Sequence, residues 1–521
     1  MQQKRSLRQL FAKIVVCLCA LVLGVLSSVA LWTAVPTAPA PVAPTAVGAY
    51  GGAATPVPTA LPPSATPTAP PATPTAQAVA PLPAPAADVP NVRVSAGKFT
   101  AHSEVSLAQN PRDPQNLVGA SKMFTDNRNY VFRIGTYASF DGGNTWVDNG
   151  QLPGLERFGV TSDPTVTFDS EGTAYVEVLA ARGPDRRSAL YLYTSTDGGK
   201  SWSAPQLVAD DPTGFNDKQW LAADTTGGTH DGMLYTTWIQ IVEQKYRVLF
   251  ARSADGGKSW SAPHELAGED GVTRQGPIVA VGARGEVYVL WNNLSADQME
   301  LALSVDGGVT FGDVRQGVSF QNTRPLNGNL RNALVLAGFS ADPRQPGTLY
   351  AVWSDGRLGD ADILFSVSRD GGATWRSPVV VNGTQRNDQF QPWVTANGAG
   401  EIYVQWFDRR DDPQNLLVHT YAARSTDGGA TWSELRVTDT ASDPTVGLPL
   451  AGEAGFYGDY QALVADAGGV QLFWNETRDG QQEVYTARIT PDRWGLPYVV
   501  PHAGPTRDDG PAPPDAIEGE E

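Results

Sequence analysis

The chain has 521 residues, of which 38 are Lys or Arg and 55 are Asp or Glu, so its formal net charge is −17. This acidic balance argues against a nucleic-acid-binding protein, which needs a basic face to neutralise phosphates. The 54 glycines, the 14 tryptophans and the low share of charged residues, 18%, favour an all-β chain rich in turns. Both cysteines, Cys17 and Cys19, lie in an N-terminal apolar run, which excludes a disulfide or a cysteine-based zinc site elsewhere.

Three segments are predicted before the folded part. Residues 1–13 carry four basic side chains and no acid, and residues 14–32 are uncharged and apolar. At a rise of ~1.5 Å per residue, the apolar run is just long enough to cross a bilayer, and the flanking charge predicts a cytoplasmic N-terminus. An uncleaved signal anchor is favoured over a cleaved signal peptide, and both would export the remaining chain. Residues 33–90, rich in Pro, Ala and Thr, are predicted to be a disordered linker.

One octapeptide recurs six times. Every copy begins with Ser, has Asp-Gly-Gly at its third to fifth positions and ends in Trp or Phe; the copies are 139–146, 195–202, 253–260, 304–311, 368–375 and 425–432. They begin 51 to 64 residues apart, which predicts a repeat architecture. Each copy follows a strand-like run, so we expect a tight hairpin in which the Asp accepts backbone N–H groups and the glycines adopt positive φ. These aspartates are therefore interpreted as structural.

The octapeptide resembles the Asp box, or BNR repeat, of the sialidase superfamily, whose pattern is Ser-x-Asp-x-Gly-x-Thr-Trp. The resemblance covers residues 91–503 and implies a β-propeller of four-stranded antiparallel blades, with each box between the third and fourth strands of its blade. It is specific for the fold and only weakly specific for activity, because function depends on sites that differ between proteins of one fold.

A second repeated signal indicates the number of blades. Five strand-like runs, each preceded by another apolar run, end in a tryptophan: Trp238, Trp291, Trp353, Trp406 and Trp474. With two earlier strand pairs they predict seven blades, and six is the alternative. A propeller closes its ring by pairing one terminus with the last blade, for which residues 91–96 and 496–500 are both candidates. Residues 504–521 are predicted to be an acidic disordered tail.

Blades 5 to 7 share the pattern Trp-x-Asp/Glu-x-Arg at the end of the second strand, in residues 353–357, 406–410 and 474–478. Blades 3 and 4 keep the Trp and lose the acid and the arginine at these positions. Arginine binds carboxylates through paired N–H donors, so the pattern indicates an anion site on the face opposite the boxes. The competing interpretation is that each arginine forms a structural bridge with the acid of its own blade.

The resemblance to sialidases implies roles for particular residues. Those enzymes hold the sugar carboxylate with three arginines, and the resemblance implies that Arg331 and Arg357 are two of them. The Trp-x-Asp/Glu-x-Arg pattern adds Arg410 and Arg478 as substrate-binding candidates. Asp360 matches the proton donor, with Asp362 as its alternative. Tyr460 matches the nucleophile, with Tyr457 as its alternative.

A tyrosine serves in such enzymes because a carboxylate nucleophile would be repelled by the carboxylate of the sugar. The glutamate that assists the tyrosine in the family has no clear match at the start of a first strand, so Glu476 is the candidate for it.

Three functions remain open at this point. The favoured one is a sialidase-like glycoside hydrolase that is displayed outside the membrane and acts on anionic glycans. The alternatives are a catalytically silent glycan- or protein-binding propeller and an envelope scaffold. No cofactor or metal is implied. We expect a monomer whose partners are a glycan and, through the N-terminal helix, the cell membrane.

Overall fold

A computed structural model of the chain describes residues 89–181, 188–211, 214–331, 336–451 and 454–499. These residues form β-strands, together with one short 3-10 turn at Pro491–Arg493. Within the described ranges, no helix is long and apolar enough to span a membrane. The predicted signal anchor, most of the predicted linker and the predicted acidic tail lie outside the described residues.

Thirty-one strands make up the described structure, and most belong to four-stranded sheets. Strand β1 (Val92–Arg93) precedes blade 1, which consists of β2 (Ala101–Gln109), β3 (Leu117–Asp126), β4 (Val131–Ser139) and β5 (Val147–Gln151). Blade 2 consists of β6 (Val160–Phe168), β7 (Ala174–Ala181), β8 (Ser188–Ser195) and β9 (Gln206–Asp211). Blade 3 consists of β10 (Phe215–Ala223), β11 (Leu234–Val242), β12 (Lys245–Ser253) and β13 (His264–Ala267).

The later blades repeat the arrangement. Blade 4 consists of β14 (Arg274–Val281), β15 (Val287–Asn293), β16 (Gln298–Ser304) and β17 (Arg315–Ser319). Blade 5 consists of β18 (Gly338–Ala341), β19 (Leu349–Asp355), β20 (Asp362–Ser368) and β21 (Val379–Val380). Blade 6 consists of β22 (Gln389–Ala396), β23 (Ile402–Asp408), β24 (His419–Ser425) and β25 (Thr431–Arg436). A hairpin of β26 (Leu450–Ala451) and β27 (Ala454–Gly455) precedes blade 7, which contains β28 (Ala462–Asp466), β29 (Gly469–Glu476) and β30 (Glu483–Ile489); β31 (Tyr498–Val499) follows.

Both ends of the described chain pair with outer strands. Strand β1 pairs antiparallel with β30, with Val92 opposite Thr486, and so supplies the fourth strand of blade 7. The prediction of seven blades and of ring closure by residues 91–96 is therefore confirmed, and the six-blade alternative is wrong. Closure by residues 496–500 is also wrong, because β31 pairs with β25 and extends blade 6. Pairing at both places covers strand edges that would otherwise be exposed.

Each Asp box forms the turn after the third strand of its blade, as predicted. In the third box, Ser253 Oγ accepts the N–H of Gly257 at 2.9 Å and donates to Asp255 at 2.8 Å. The hydroxyl and the amide of Ser259 donate to the Asp255 carboxylate at 2.6 and 2.9 Å, and they lower the pKa of Asp255 to about 2. Gly257 has φ of +81° and packs against Leu192 of blade 2. The box therefore closes its own hairpin and also packs one blade against the preceding one.

The strand directions define two faces of the ring. Since neighbouring strands are antiparallel, the start of each first strand and the end of each second strand lie on the side opposite the box turns. On the box side, Gly142 of the first box donates its N–H to the carbonyl of Gln115, in the loop between β2 and β3, at 2.9 Å. We refer to the opposite side as the upper face.

Candidate active site

The first strands carry a repeated irregularity close to the upper face. In five of them the pairing with the second strand shifts register, as in a β-bulge, and a residue at the shift has φ between 50° and 61°: Glu104, Asp163, Lys218, Gly276 and Gln391. Bulges re-aim side chains and are common beside active sites. Non-glycine residues in the left-handed region are strained and tend to cluster at functional positions.

Side chains from these bulges meet in one cluster of charges. Lys218 Nζ lies 2.6 Å from Asp459 Oδ2, 3.4 Å from Glu104 Oε1 and 3.6 Å from Asp163 Oδ2. Lys122 of β3 contacts Glu104 and lies 3.3 Å from Asp163. We name these five residues the hub cluster. Because they come from blades 1, 2 and 3 and from the connection into blade 7, the contacts span the centre of the ring.

Burial and neighbouring charges give the three carboxyl groups of the hub cluster different pKa values. Burial, with the negative charge of Asp163, raises the pKa of Glu104 to about 8. Burial would also raise the pKa of Asp459, but the positive charges of Arg331 and Lys218 hold it far below its ordinary value. The two lysines hold the pKa of Asp163 low in the same way, against its burial. The cluster therefore holds one carboxyl group with a raised pKa beside two with lowered pKa values, and such a divergence of pKa values is typical of acid–base sites.

Arg331, one of the predicted substrate arginines, lies beside the hub cluster. It forms an ion pair with Asp459, and its guanidinium lies 4.4 Å from the ring centroid of Phe456. Its side chain is 33% exposed, against 1% for Asp459, so Arg331 connects the buried cluster to solvent. Arg331 lies in the connection before blade 5, because β18, the first strand of that blade, begins at Gly338.

Tyr460, the predicted nucleophile, packs directly against the cluster. Its ring centroid lies 5.8 Å from Lys218 Nζ, and 5.8 and 6.2 Å from the ring centroids of Trp220 and Trp393. Its hydroxyl is buried and has no hydrogen-bond partner among the described residues. Burial and then the negative charge of Glu104 raise its pKa well above the ordinary value. The alternative tyrosine, Tyr457, has a different environment, since its hydroxyl bonds to Ser442 Oγ at 2.7 Å.

The arginines of the Trp-x-Asp/Glu-x-Arg pattern each pair with the acid two residues before them. The pairs are Arg357 with Asp355 at 2.8 Å, Arg410 with Asp408 at 2.8 Å, and Arg478 with Glu476. In blades 5 and 6 the acid also accepts the indole N–H of the tryptophan, at 2.8 Å in Trp353 and 2.7 Å in Trp406. Arg410 is fully buried and also bonds to Glu434 at 2.6 Å. This geometry fits the structural-bridge interpretation, and the substrate-binding role of these arginines stays a prediction.

Blade 4 builds the same triad from residues that are not adjacent in sequence. The indole N–H of Trp291 donates to Glu300 Oε2 at 2.7 Å, and Arg274 Nε lies 3.2 Å from the same oxygen. The Trp–acid–arginine unit is therefore not confined to blades 5 to 7, where the sequence pattern indicated it.

The predicted acids lie in separate surroundings. The side chain of Asp360 is 45% exposed and pairs with Arg324 at 2.8 Å. Asp362 is buried, which raises its pKa to about 6, and it accepts a hydrogen bond from Asn382 at 2.8 Å. Burial also raises the pKa of Glu476, to about 7, beneath Arg478. None of the three hydrogen-bonds to Tyr460, whose hydroxyl is unpaired within the described ranges. Their catalytic roles remain predictions.

Comparisons with known proteins agree with this architecture. The family model of the BNR/Asp-box repeat matches residues 193–204. A xyloglucanase from Paenibacillus sp is 26% identical over 328 residues, which cover 56% of this chain and 28% of the relative. Xyloglucanase Xgh74A from Acetivibrio thermocellus is 22% identical over 311 residues, which cover 54% of this chain and 33% of the relative. The chain thus spans no more than a third of the length of these curated relatives.

Two solved structures show similar folds at low identity. The Hadza microbial sialidase Hz136 is 13% identical, with a TM-score of 0.43 over 69% of this chain and 73% of its own. The α-L-arabinofuranosidase Arb93A from Fusarium graminearum is 12% identical, with a TM-score of 0.44 over 78% of this chain and 98% of its own. The family-model match and the seven blades confirm a β-propeller with BNR/Asp-box repeats.

Proposed function

We propose that the chain is a glycoside hydrolase of the Asp-box propeller class, with its reaction centre at the hub cluster. The observation that carries the proposal is that Lys218 Nζ lies 3.4 Å from Glu104, whose pKa is raised, and 2.6 Å from Asp459, whose pKa is lowered. Because one oxygen of each carboxyl group contacts Lys218 Nζ, these oxygens are at most about 6 Å apart. This bound allows the ~5–5.5 Å of retaining glycoside hydrolases and disfavours the ~6.5–9.5 Å of inverting ones.

The chemistry follows from the two protonation states. Glu104 would protonate the glycosidic oxygen as its bond to the anomeric carbon breaks. Asp459 would stabilise the positive charge that develops on the sugar, or attack the anomeric carbon. Water then supplies a hydroxyl group to the sugar and returns a proton to Glu104. Lys218 and Lys122 keep the neighbouring carboxylates ionised throughout.

The more specific form of the proposal is sialidase-type chemistry on an anionic sugar. Tyr460 would attack the anomeric carbon while Glu104, which must be in its ionised form, accepts the proton of the Tyr460 hydroxyl. Arg331 would bind the sugar carboxylate. It is supported by the contact of the Tyr460 ring with Lys218 of the hub cluster and by the partial exposure of Arg331. In this form of the proposal, Asp360 donates a proton to the glycosidic oxygen. Arg357, Arg410 and Arg478 bind the substrate only if they release the acidic side chains with which they are paired.

A second candidate is a catalytically silent glycan-binding propeller. It is favoured by the burial of Glu104 and Asp459, whose side chains are 0% and 1% exposed and already face lysine and arginine. In that case the hub cluster has only a structural role, in which its ion pairs connect blades 1, 2, 3 and 7.

To test these alternatives, turnover by the full-length chain is measured on fluorogenic xylosides, glucosides, arabinofuranosides and sialosides and on xyloglucan oligosaccharides. We expect Glu104→Gln and Asp459→Asn to lower kcat/KM at least about 100-fold, the size of a lost acid or base. Glu177→Gln is the matched control, because Glu177 is equally buried and its pKa is also raised to about 8.

The outcomes separate the candidates. Loss of activity in Tyr460→Phe on sialosides alone supports the sialidase-type form. Turnover that survives Tyr460→Phe and is lost in Glu104→Gln supports the carboxyl pair. Absence of turnover on every substrate refutes the hydrolase and leaves the silent propeller.

We also propose that residues 14–32 anchor the propeller outside the cell membrane, with the N-terminus in the cytoplasm. The basic residues before this apolar run support the orientation. Protease added to intact cells should digest the propeller, and full protection would refute the orientation.

A further inference from the structure

Asp217 is an acid at the edge of the hub cluster that takes no part in its ion pairs. It lies on β10 directly before Lys218 and is partly exposed, whereas Glu104, Asp163 and Asp459 are buried. Its carboxyl group forms no hydrogen bond and no ion pair with any residue that the structure describes. Among these four acids, Asp217 is therefore the one that remains available to a ligand.

The bulge in β10 places Asp217 between the hub cluster and the upper face. Asp217 is paired with Ile239, and the pairing of β10 with β11 shifts register directly after it, where Lys218 has φ of +52°. Since each first strand starts at the upper face, Asp217 lies one residue nearer to that face than Lys218 does. Burial raises the pKa of Asp217 to about 6; Lys218 opposes the shift, and the charges of Asp163 and Asp459 add to it. Asp217 therefore interacts with the charges of the cluster and is mostly ionised at pH 7.

The repeat itself does not require an acid at this position. In the other four bulges, the residue directly before the one with positive φ is uncharged and buried: Ser103, Ser162, Gln275 and Phe390. Blade 3 is the only one of the five bulged blades with an acid there. A structural role does not explain Asp217, because a buried, uncharged residue is sufficient for the same bulge in the other blades.

A partly exposed carboxylate beside a reaction centre restricts the charge of the substrate. It accepts hydrogen bonds from hydroxyl groups, and two neighbouring hydroxyl groups of a sugar can each donate to one of its oxygens. It repels the carboxylate of an acidic sugar. Arg331 does not offset this repulsion, because its guanidinium is already paired with Asp459. The exposed edge of the hub cluster therefore favours an uncharged sugar over an acidic one.

We infer that Asp217 is a substrate-binding residue whose carboxylate accepts hydrogen bonds from the hydroxyl groups of an uncharged sugar at the hub cluster. The inference rests on the proposed hydrolase function and names its substrate class. It favours the carboxyl-pair form of that function over the sialidase-type form, since Asp217 would repel the carboxylate of a sialic acid.

Sugar binding by the full-length chain tests the inference without requiring turnover. The uncharged probes are glucose, galactose, xylose and arabinose. The acidic probes are N-acetylneuraminate, glucuronate and galacturonate, of which the last two differ from glucose and galactose only at C6. Titration calorimetry and saturation-transfer NMR give the affinities.

Two variants and one control isolate the carboxylate. Asp217→Asn keeps the size of the side chain and removes its charge, and Asp217→Ala removes both oxygens. Asp313→Asn is the matched control, because Asp313 is an exposed acid without a hydrogen bond or ion pair in the described ranges. It lies between the fourth box and β17, away from the upper face.

We expect an uncharged sugar to bind at least about tenfold more tightly than every acidic probe. Both Asp217 variants should bind that sugar at least about tenfold more weakly, the lower end for hydrogen bonds to a charged group, and Asp217→Asn should also narrow the preference over the acidic probes. Asp313→Asn should bind as the wild type does. Both Asp217 variants should unfold at the wild-type urea concentration, and if they fail to fold, the preference of the wild type still tests the inference.

The outcomes distinguish this inference from the proposed function. Tighter binding of an acidic sugar, absence of sugar binding, or equal affinities in the wild type and Asp217→Asn would each overturn the inference. If the affinities are equal and Glu104→Gln still abolishes turnover, the hydrolase stands without Asp217. If an uncharged sugar binds in an Asp217-dependent way and no glycoside is cleaved, the hydrolase fails and the binding role of Asp217 stands.

Discussion

Glu177 is a buried carboxyl whose ionisation should make the stability of the propeller depend on pH. It lies on β7 of blade 2, is 0% exposed, and accepts the hydroxyl of Thr236 from blade 3, whose oxygen lies 2.7 and 3.0 Å from the two carboxyl oxygens. Burial raises its pKa from 4.5 to about 8, and the Thr236 hydroxyl opposes the shift. Because the folded-state pKa is the higher one, the stabilising contribution is complete below pH 4.5 and is lost as the pH rises through 8.

The magnitude follows from the size of the shift. At ~1.4 kcal/mol per pKa unit, the rise to about 8 corresponds to a loss of about 4 kcal/mol in the free energy of unfolding between pH 4.5 and pH 9. Glu177→Gln cannot ionise, so its stability relative to the wild type should increase by that amount over this range. The buried amide N–H groups of the new glutamine lower the free energy of unfolding, but this effect does not vary with pH.

Urea unfolding at pH 4.5, 7 and 9, followed by tryptophan fluorescence, measures the difference. Glu243→Gln is the control, because Glu243 is exposed and the same substitution there should leave the difference constant. A difference between wild type and Glu177→Gln that stays flat from pH 4.5 to 9 would refute the reasoning.

Three further predictions concern the box, the arginine bridge and the reaction. Gly257→Ala should lower the free energy of unfolding by about 3 kcal/mol, since the new Cβ would lie 2.2 Å from Leu192 at φ of +81°. Gly271→Ala, at φ of +76° with open space around it, should lower it by only about 1 kcal/mol in denaturant unfolding. Equal losses in the two variants would contradict the packing of the box against blade 2. Arg410→Met should lower the unfolding free energy by about 3–5 kcal/mol, because two buried carboxylates lose their partner; an unchanged stability would favour the ligand role instead. The kcat/KM of the active enzyme should fall as the pH rises through about 8, because Glu104 then loses its proton; a profile flat to pH 9.5 would exclude Glu104 as the acid.

The fold was predictable because each repeat carries its own local turn chemistry. The Ser, Asp and Gly-Gly of a box form their hydrogen bonds within eight residues, so the motif identifies its turn without tertiary information. The identity of the strand that closes the ring was harder to predict, because β1 and β31 are both short and both pair with the outer strand of a blade. Only the partner strand distinguishes them, and pairing over such distances leaves no local signal.

The hub cluster was not predicted, because its members lie far apart in sequence and inside runs that were interpreted as ordinary first strands. Glu104, Asp163 and Lys218 occupy equivalent positions in successive blades, and an alignment of the repeats would have shown a charged residue at each. A glycine in the sequence often indicates a residue with positive φ, but among the five bulges a glycine occupies this position only in blade 4. The positive φ of the other four residues therefore could not be predicted. The arginine pattern was conspicuous by contrast, but an acid two residues from an arginine does not distinguish a ligand site from a bridge.

The most direct test of the central claim is to compare kcat/KM for Glu104→Gln and Glu177→Gln on whichever glycoside the wild type cleaves. Both variants replace the carboxyl group of a fully buried glutamate with an amide, and only Glu104 belongs to the cluster shared by blades 1, 2, 3 and 7. The account predicts that Glu104→Gln is at least about 100-fold slower while Glu177→Gln cleaves at the wild-type rate. Equal rates in the two variants would contradict it.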